Sequence, residues 1–301
     1  MQKTVFGTRK EKPAFFDMAC RFKLPTGKIS GTGFRIGDRA MTHVWLGDWR
    51  LRNRNRRLLV LDDTHWADTE YSRYLPAWWL FKDIADEIWV MDGVAEQVQR
   101  PAGECLYHTD GWRIWKWVRK NAKFKPTIRP LPEAYDSVKL KMASLGIPEK
   151  FITVQPLFDA AYGLFRNSEP SWWRDVCSHL SSEFAVVILG AAKNAKVMTS
   201  PPRTYPLWEV GTDPMESLAV ISMAQAHVGG ETGTSLWAPI FGTPIVAVYK
   251  AWDEYVKGWT DTRPMSFGSP VIRCPLNSTP GDVVKYVELA LKPVGPRLQP
   301  R

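Results

Sequence analysis

Short runs of β-branched and aromatic residues alternate along this chain with stretches whose apolar positions recur every three or four residues. That alternation predicts an α/β protein with largely parallel sheets. Residues 29–34 (ISGTGF) read as a first strand, after a polar, irregular lead-in over residues 1–28 that carries Pro13 and Pro25. A helix follows from Asp38, because Met41, Val44, Trp45 and Trp49 recur at helical spacing, and Asn53 and Asn55 end it. Residues 58–61 (LLVL) read as a buried strand closing on Asp62 and Asp63, residues 75–84 as a second helix, and residues 87–91 (EIWVM) as a third strand. Residues 107–120 suit an aromatic, basic helix, and residues 133–145 a further one. Between these two, Pro126, Pro130 and Pro132 mark a break, which predicts an N-terminal domain over 1–132 and a C-terminal domain over 133–301.

The second half repeats the rhythm. Strands are expected at 151–154, 184–189 (FAVVIL) and, shorter, 206–210; helices at 171–180, 214–224 and 282–291. The last helix is amphipathic through Val283, Val284, Val287 and Leu291, and in the two-domain arrangement it is placed where it can pack back on the first domain. The most informative stretch is 228–248, VGGETGTSLWAPIFGTPIVAV. It reads as a strand end, a Gly-rich turn, a helix over 235–241, a Gly242-Thr243-Pro244 stop and a buried strand over 245–249. This order puts the N–H groups of Thr232, Gly233 and Thr234 at a helix N-terminus, where they lack helical partners and carry the positive end of the dipole. Such an end favours phosphate, and Gly233 has no Cβ to hold a ligand off. The alternative is an ordinary crossover with a glycine turn.

The same stretch resembles the donor-binding segment of GT-B glycosyltransferases, most closely family 9, the bacterial heptosyltransferases. The family pattern there is Gly-Asp-Thr-Gly, two residues, His-Leu-Ala, then Gly-Thr-Pro before a strand. This chain has Gly230-Glu231-Thr232-Gly233, Thr234-Ser235, Leu236-Trp237-Ala238, then Gly242-Thr243-Pro244, with Leu236 where the family has His. The resemblance runs over roughly residues 29–275. It implies two Rossmann-like domains with mostly parallel sheets facing across a cleft, an acceptor-side domain first and a nucleotide-sugar donor domain second. It also implies that Asp38, in Gly37-Asp38, matches the family's general base, and that Arg166 matches a basic residue in the loop opening the second domain.

Composition adds limits. Of 301 residues, 45% are hydrophobic and 24% charged, an ordinary globular balance. No apolar run suits a membrane span, and the charged start MQKTVFGTRKEKPAFF has no apolar signal core. Cys20, Cys105, Cys177 and Cys274 have no paired spacing. A cytoplasmic protein is therefore expected, or one peripheral at an anionic surface. The net charge of +9 is concentrated in residues 50–57 (RLRNRNRR) and 113–125 (RIWKWVRKNAKFK), which suit a polyanionic partner or a solvated helix end and loop.

An inverting sugar transfer needs a base for the acceptor hydroxyl and cationic or dipolar groups for the leaving nucleoside diphosphate. Asp38 is the candidate base, or a helix-start aspartate; Asp62 and Asp63 are its rivals. Arg166, Lys193 and the Thr232, Gly233 and Thr234 amides are candidate phosphate holders, and Glu231 suits ribose hydroxyls or the helix N-terminus. Arg52, Arg54, Arg56 and Arg57 are candidates for an anionic acceptor. His43, His65, His108, His179 and His227 show no metal-ligand spacing, and no Asp-x-Asp occurs, so neither a metal nor another cofactor is expected beyond the nucleotide sugar itself. Three functions fit: a glycosyltransferase with a carbohydrate acceptor such as a lipopolysaccharide-type glycan, one that modifies a hydroxymethylated DNA base, and a non-catalytic nucleotide- or nucleic-acid-binding protein of the same fold.

Overall fold

A computed structural model describes residues 2–5, 14–17, 22–23, 29–30, 36–62, 75–90, 104–105, 118, 123–156, 170–190, 201–230, 232–248, 267–274 and 278–292. The chain divides into two compact units, residues 1–128 and 129–301. Among the described residues no helix is long and apolar enough to cross a membrane.

Unit 1 begins earlier than the hydrophobic pattern suggests. Strand β1 (Gln2–Val5) and strand β2 (Ala14–Asp17) both lie in the segment expected to be irregular. The expected first strand is instead half of a small antiparallel hairpin, β3 (Phe22–Lys23) with β4 (Ile29–Ser30). Strands β5 (Leu58–Asp62), β6 (Glu87–Val90) and β7 (Glu104–Cys105) complete a five-stranded sheet of order β1-β6-β5-β2-β7. Its inner pairs are parallel and β1 caps one edge antiparallel to β6. Sheet pairing decides here: AFFD is too short and too close to Pro13 to declare itself, but it sits in register with the β-branched and apolar β5.

Helix α1 (Ile36–Arg52) and the short helix α2 (Ala77–Phe81) belong to this unit. The apolar face of α1 is Ala40, Met41, Val44 and Leu46, all buried. Two polar side chains on α1 are buried too and bond carbonyls: Arg39 donates to Leu75 O, and His43 Nδ1–H to Leu80 O at 2.6 Å. Burial pushes the His43 imidazole down to about 4, so it is neutral at physiological pH. Gly47 leaves room for the Phe124 ring, which a Cβ would strike.

The end of α1 is fastened to the amino edge of the sheet. Arg50 donates Nε–H to Ile84 O at 2.8 Å, also reaches Arg56 O, and forms an ion pair with buried Asp86, which accepts the Leu58 N–H at 2.8 Å. Replacing Arg50 with Met is expected to cost about 2–4 kcal/mol, because the buried Asp86 would lose this ion pair and the Ile84 and Arg56 carbonyls their donor. Urea unfolding checks this; a midpoint unmoved by the substitution would mean the cluster is ornamental to stability.

Unit 2 is built on a six-stranded, wholly parallel sheet. Its strands are β8 (Ile152–Gln155), β9 (Val186–Ile188), β10 (Thr204–Pro206), β11 (His227–Gly229), β12 (Ile245–Val248) and β13 (Val271–Cys274). The order β10-β9-β8-β11-β12-β13 is 3-2-1-4-5-6 counted within the unit, the dinucleotide-fold order. Helices α3 (Pro132–Ser144), α4 (Pro170–Glu183), α5 (Pro214–Met223), α6 (Gly233–Phe241) and α7 (Asp282–Leu291) complete it. The strand expected over 206–210 ends at Pro206, and Leu207–Val210 is a 3-10 turn. Helix α3 is tied to α5 by Lys141, whose Nζ lies 2.7 Å from Glu216 Oε1, while Glu216 also completes a capping box with Asp213. In helix α7, Val283, Val287 and Ala290 share one core with Ile152, Val154, Trp173, Val186, Val228 and Val246.

Candidate functional site

In a sheet of this order the strand sequence reverses between β8 and β11, and the crevice beyond their carboxyl ends is where α/β folds take ligands. The Gly-rich turn lies there, because it follows β11 directly. Thr232 is the N-cap of α6: its backbone is extended (φ −115°, ψ 157°) and its hydroxyl accepts the Ser235 N–H at 3.2 Å. Gly242 closes the helix in the left-handed region (φ 89°), a conformation that suits glycine, and Thr243 anchors the exit by donating to Ile221 O at 2.9 Å.

The amide set differs from expectation in one member. Thr232 N–H is taken by Gly230 O at 2.9 Å, a tight turn within the loop itself. Gly233 and Thr234, the first two residues of α6, have no intrahelical acceptor for their N–H groups, and no described residue supplies one. The amides left open at the start of α6 are therefore those of Gly233 and Thr234, while Thr232 contributes its hydroxyl to the cap.

Behind these residues lies a set of polar groups that sequence reading missed. Thr234 donates to Gln155 Oε1 at 3.3 Å, which ties the turn to the end of β8. Thr232 Oγ1 lies 2.8 Å from Thr234 Oγ1 and 2.9 Å from Ser235 Oγ. His227 joins Ser235 Oγ through Nε2 at 3.0 Å and Thr153 Oγ1 through Nδ1 at 2.9 Å. His227, Thr153 and Ser235 are all fully buried, and burial pushes the His227 imidazole down to about 3, so it is uncharged. Gly229 is required by this packing, since a Cβ there would strike Ser235 Oγ and stand 2.8 Å from His227 Nε2. The available signal was a lone His beside Val228, just before Gly-Gly: a buried polar ring must find partners nearby.

In unit 1, Asp38 is the third residue of α1, so the helix starts two residues before it. The short connection from Arg52 to Leu58 puts the C-terminus of α1 at the amino edge of the sheet. At about 1.5 Å per residue the helix then carries its N-terminus roughly 25 Å back, to the carboxyl edge. Asp38 and the strand-terminal Asp62 thus lie toward the same carboxyl edge of the unit 1 sheet. Asp63, Arg166, Lys193 and Glu231 lie outside the described residues, as do the expected helix over 107–120 apart from Val118 and most of the basic run 113–125.

The arginine run is on the other edge. Arg57 forms an ion pair with buried Glu87 at the start of β6. Arg52 pairs with buried Asp48 one helical turn back at 3.0 Å, and Arg56 lies over the Trp49 ring at 5.6 Å. Arg54 is exposed in the turn between them. Around the α1–β5 turn at the amino edge, Arg52 is thus held by Asp48, Arg57 by Glu87 and Arg56 against Trp49.

No protein-family model matches the chain, and no curated protein matches it. Solved structures do. The chain is similar to a glycosyl transferase of family 9 from Veillonella parvula, at 10% identity and a TM-score of 0.57, over 93% of this chain and 97% of that one. It is also similar to the ADP-heptose LPS heptosyltransferase II of E. coli, at 12% identity and a TM-score of 0.53, over 93% of this chain and 98% of that one. At such identities the likeness is one of architecture. The chain has the GT-B fold of these glycosyltransferases, two Rossmann-like α/β units in one polypeptide.

Proposed function

We propose that the protein is an inverting, metal-independent glycosyltransferase that moves a sugar from a nucleoside-diphosphate sugar to a hydroxyl of a carbohydrate acceptor, such as a lipopolysaccharide-type glycan. The observation that carries the reading is the Gly233 and Thr234 amide pair at the N-terminus of α6, beside the point where strand order reverses. That end binds the diphosphate through N–H donors and the helix dipole. In the transfer, Asp38 takes the proton from the acceptor hydroxyl, whose oxygen attacks the anomeric carbon. The bond from that carbon to the phosphate oxygen breaks, and the nucleoside diphosphate leaves with the electron pair. Amides and cations placed where that negative charge develops lower the barrier; Arg166 and Lys193 join Gly233 and Thr234 in this role, and Glu231 takes the ribose hydroxyls. Charge compensation by amides and basic side chains makes a metal unnecessary to the leaving group. The fold relative from E. coli, named for ADP-heptose, favours a nucleotide-sugar donor. The pairing of Arg52 with Asp48 and of Arg57 with Glu87 in the α1–β5 turn gives these arginines a structural role and supports the glycan reading.

Calorimetry with ADP, UDP, GDP and TDP tests the donor site. At least one of the four is expected to bind without added magnesium. Folded protein that binds none of them would remove the donor-site reading.

A further inference from the structure

A buried histidine in a core strand costs stability unless both ring nitrogens are satisfied, and an aliphatic side chain would fill the same space without that cost. What the ring at His227 adds is direction. Thr234 spends its hydroxyl proton on Gln155 Oε1, so its oxygen accepts from Thr232 Oγ1. Thr232 has then spent its own proton and accepts twice from Ser235, from the hydroxyl at 2.9 Å and from the backbone N–H at 3.2 Å. Ser235 Oγ in turn accepts from His227 Nε2–H, and His227 Nδ1 accepts from Thr153. Thr153 has another acceptor, Ala226 O, but at 3.4 Å it is the poorer one. With Thr153 donating to the nearer His227 Nδ1, the hydroxyl protons run in one direction along the chain, and the burial that keeps the imidazole neutral preserves this order across physiological pH.

We propose that His227 is a positioning residue for the diphosphate of the nucleotide-sugar donor. It does not reach the ligand; through Ser235 it fixes the Thr232 and Thr234 hydroxyls and with them the first turn of α6, whose amides receive the phosphate. This rests on the donor-site reading above. Preorganised donors bind an anion more tightly than ones that must first be ordered, and the gain falls on the phosphates, while the nucleoside is left to other contacts.

The test measures binding of ADP, UDP, GDP and TDP, and of their parent nucleosides, to wild type, His227→Leu, His227→Gln and Ser235→Ala, with a melting curve for each. His227→Leu and Ser235→Ala are expected to weaken the diphosphate by about 3- to 10-fold and to leave the nucleoside nearly unchanged. His227→Gln, whose amide can still meet Ser235, is expected to recover most of the loss. Ser235→Ala carries the comparison if His227→Leu does not fold, because it cuts the same chain without emptying the strand core. Equal losses for nucleoside and diphosphate would make the network merely structural and overturn the proposal, as would unchanged diphosphate binding in Ser235→Ala. Wild type that binds none of the diphosphates overturns the donor site itself and this proposal with it, so the two failures are told apart.

Discussion

Asp38→Asn is expected to lower sugar transfer by about 10²–10⁴-fold while donor binding stays close to wild type. Asparagine keeps the shape of the side chain but cannot accept the acceptor's proton at neutral pH. The competing role is structural: Asp38 is the third residue of α1, and a carboxylate in the first turn is favoured by the helix dipole by about 0.3–1 kcal/mol. That role predicts a slightly lower melting temperature and unchanged transfer. The two readouts move oppositely, so one variant separates them. Transfer within about twofold of wild type would make Asp38 a helix-start residue only and pass the base to Asp62, which ends β5 on the same edge. Product release of nucleoside diphosphate, followed with and without acceptor, provides the assay.

Unit 2 was legible because its signals are local. Runs such as FAVVIL have no way to be satisfied except as buried strands, and the amphipathic spacing of Val283 and Val287 leads directly to α7. Gly242-Thr243-Pro244 stops α6 for a backbone reason that needs no tertiary context. What was not legible depends on partners distant in sequence. QKTV and AFFD become strands through pairing with β6 and β5, more than 40 residues away, and nothing inside either tetrapeptide states that. Strand β13 (VIRC) was missed for the same reason: its partner is β12, and Pro270 and Pro275 on either side mask a four-residue run. The arginines at 50–57 looked like a free basic surface because Asp86 and Glu87, which take two of them, follow about 30 residues later. In the candidate site, the helix N-terminus was readable from Thr-Gly-Thr-Ser, whereas the relay behind it was not. Thr153 meets His227, and Gln155 meets Thr234, only because β8 and β11 are neighbours in the sheet.

Gly233→Pro is expected to abolish most donor binding and leave the fold intact. Proline fits the first position of a helix, where its fixed φ is already helical and its missing N–H has no helical partner to lose. The residue before a proline must be extended, and Thr232 already is, at φ −115° and ψ 157°. The substitution therefore deletes one of the two amides proposed to hold the phosphate and leaves the cap, the helix and the Ser235 N–H bond in place. A hydrogen bond to a charged group contributes about 1.5–3 kcal/mol, so the Kd for the nucleoside diphosphate should rise about 10- to 100-fold, with the ring's bulk acting in the same direction. The melting temperature should hold or rise slightly, since proline restricts the unfolded chain. This separates the site from its scaffold in a way that a larger substitution would not. A Kd within about twofold of wild type, with normal melting, would show that the diphosphate does not rest on the end of α6. Phosphate recognition would then pass to Arg166 and Lys193, and the same calorimetry on Arg166→Gln and Lys193→Gln would decide between them.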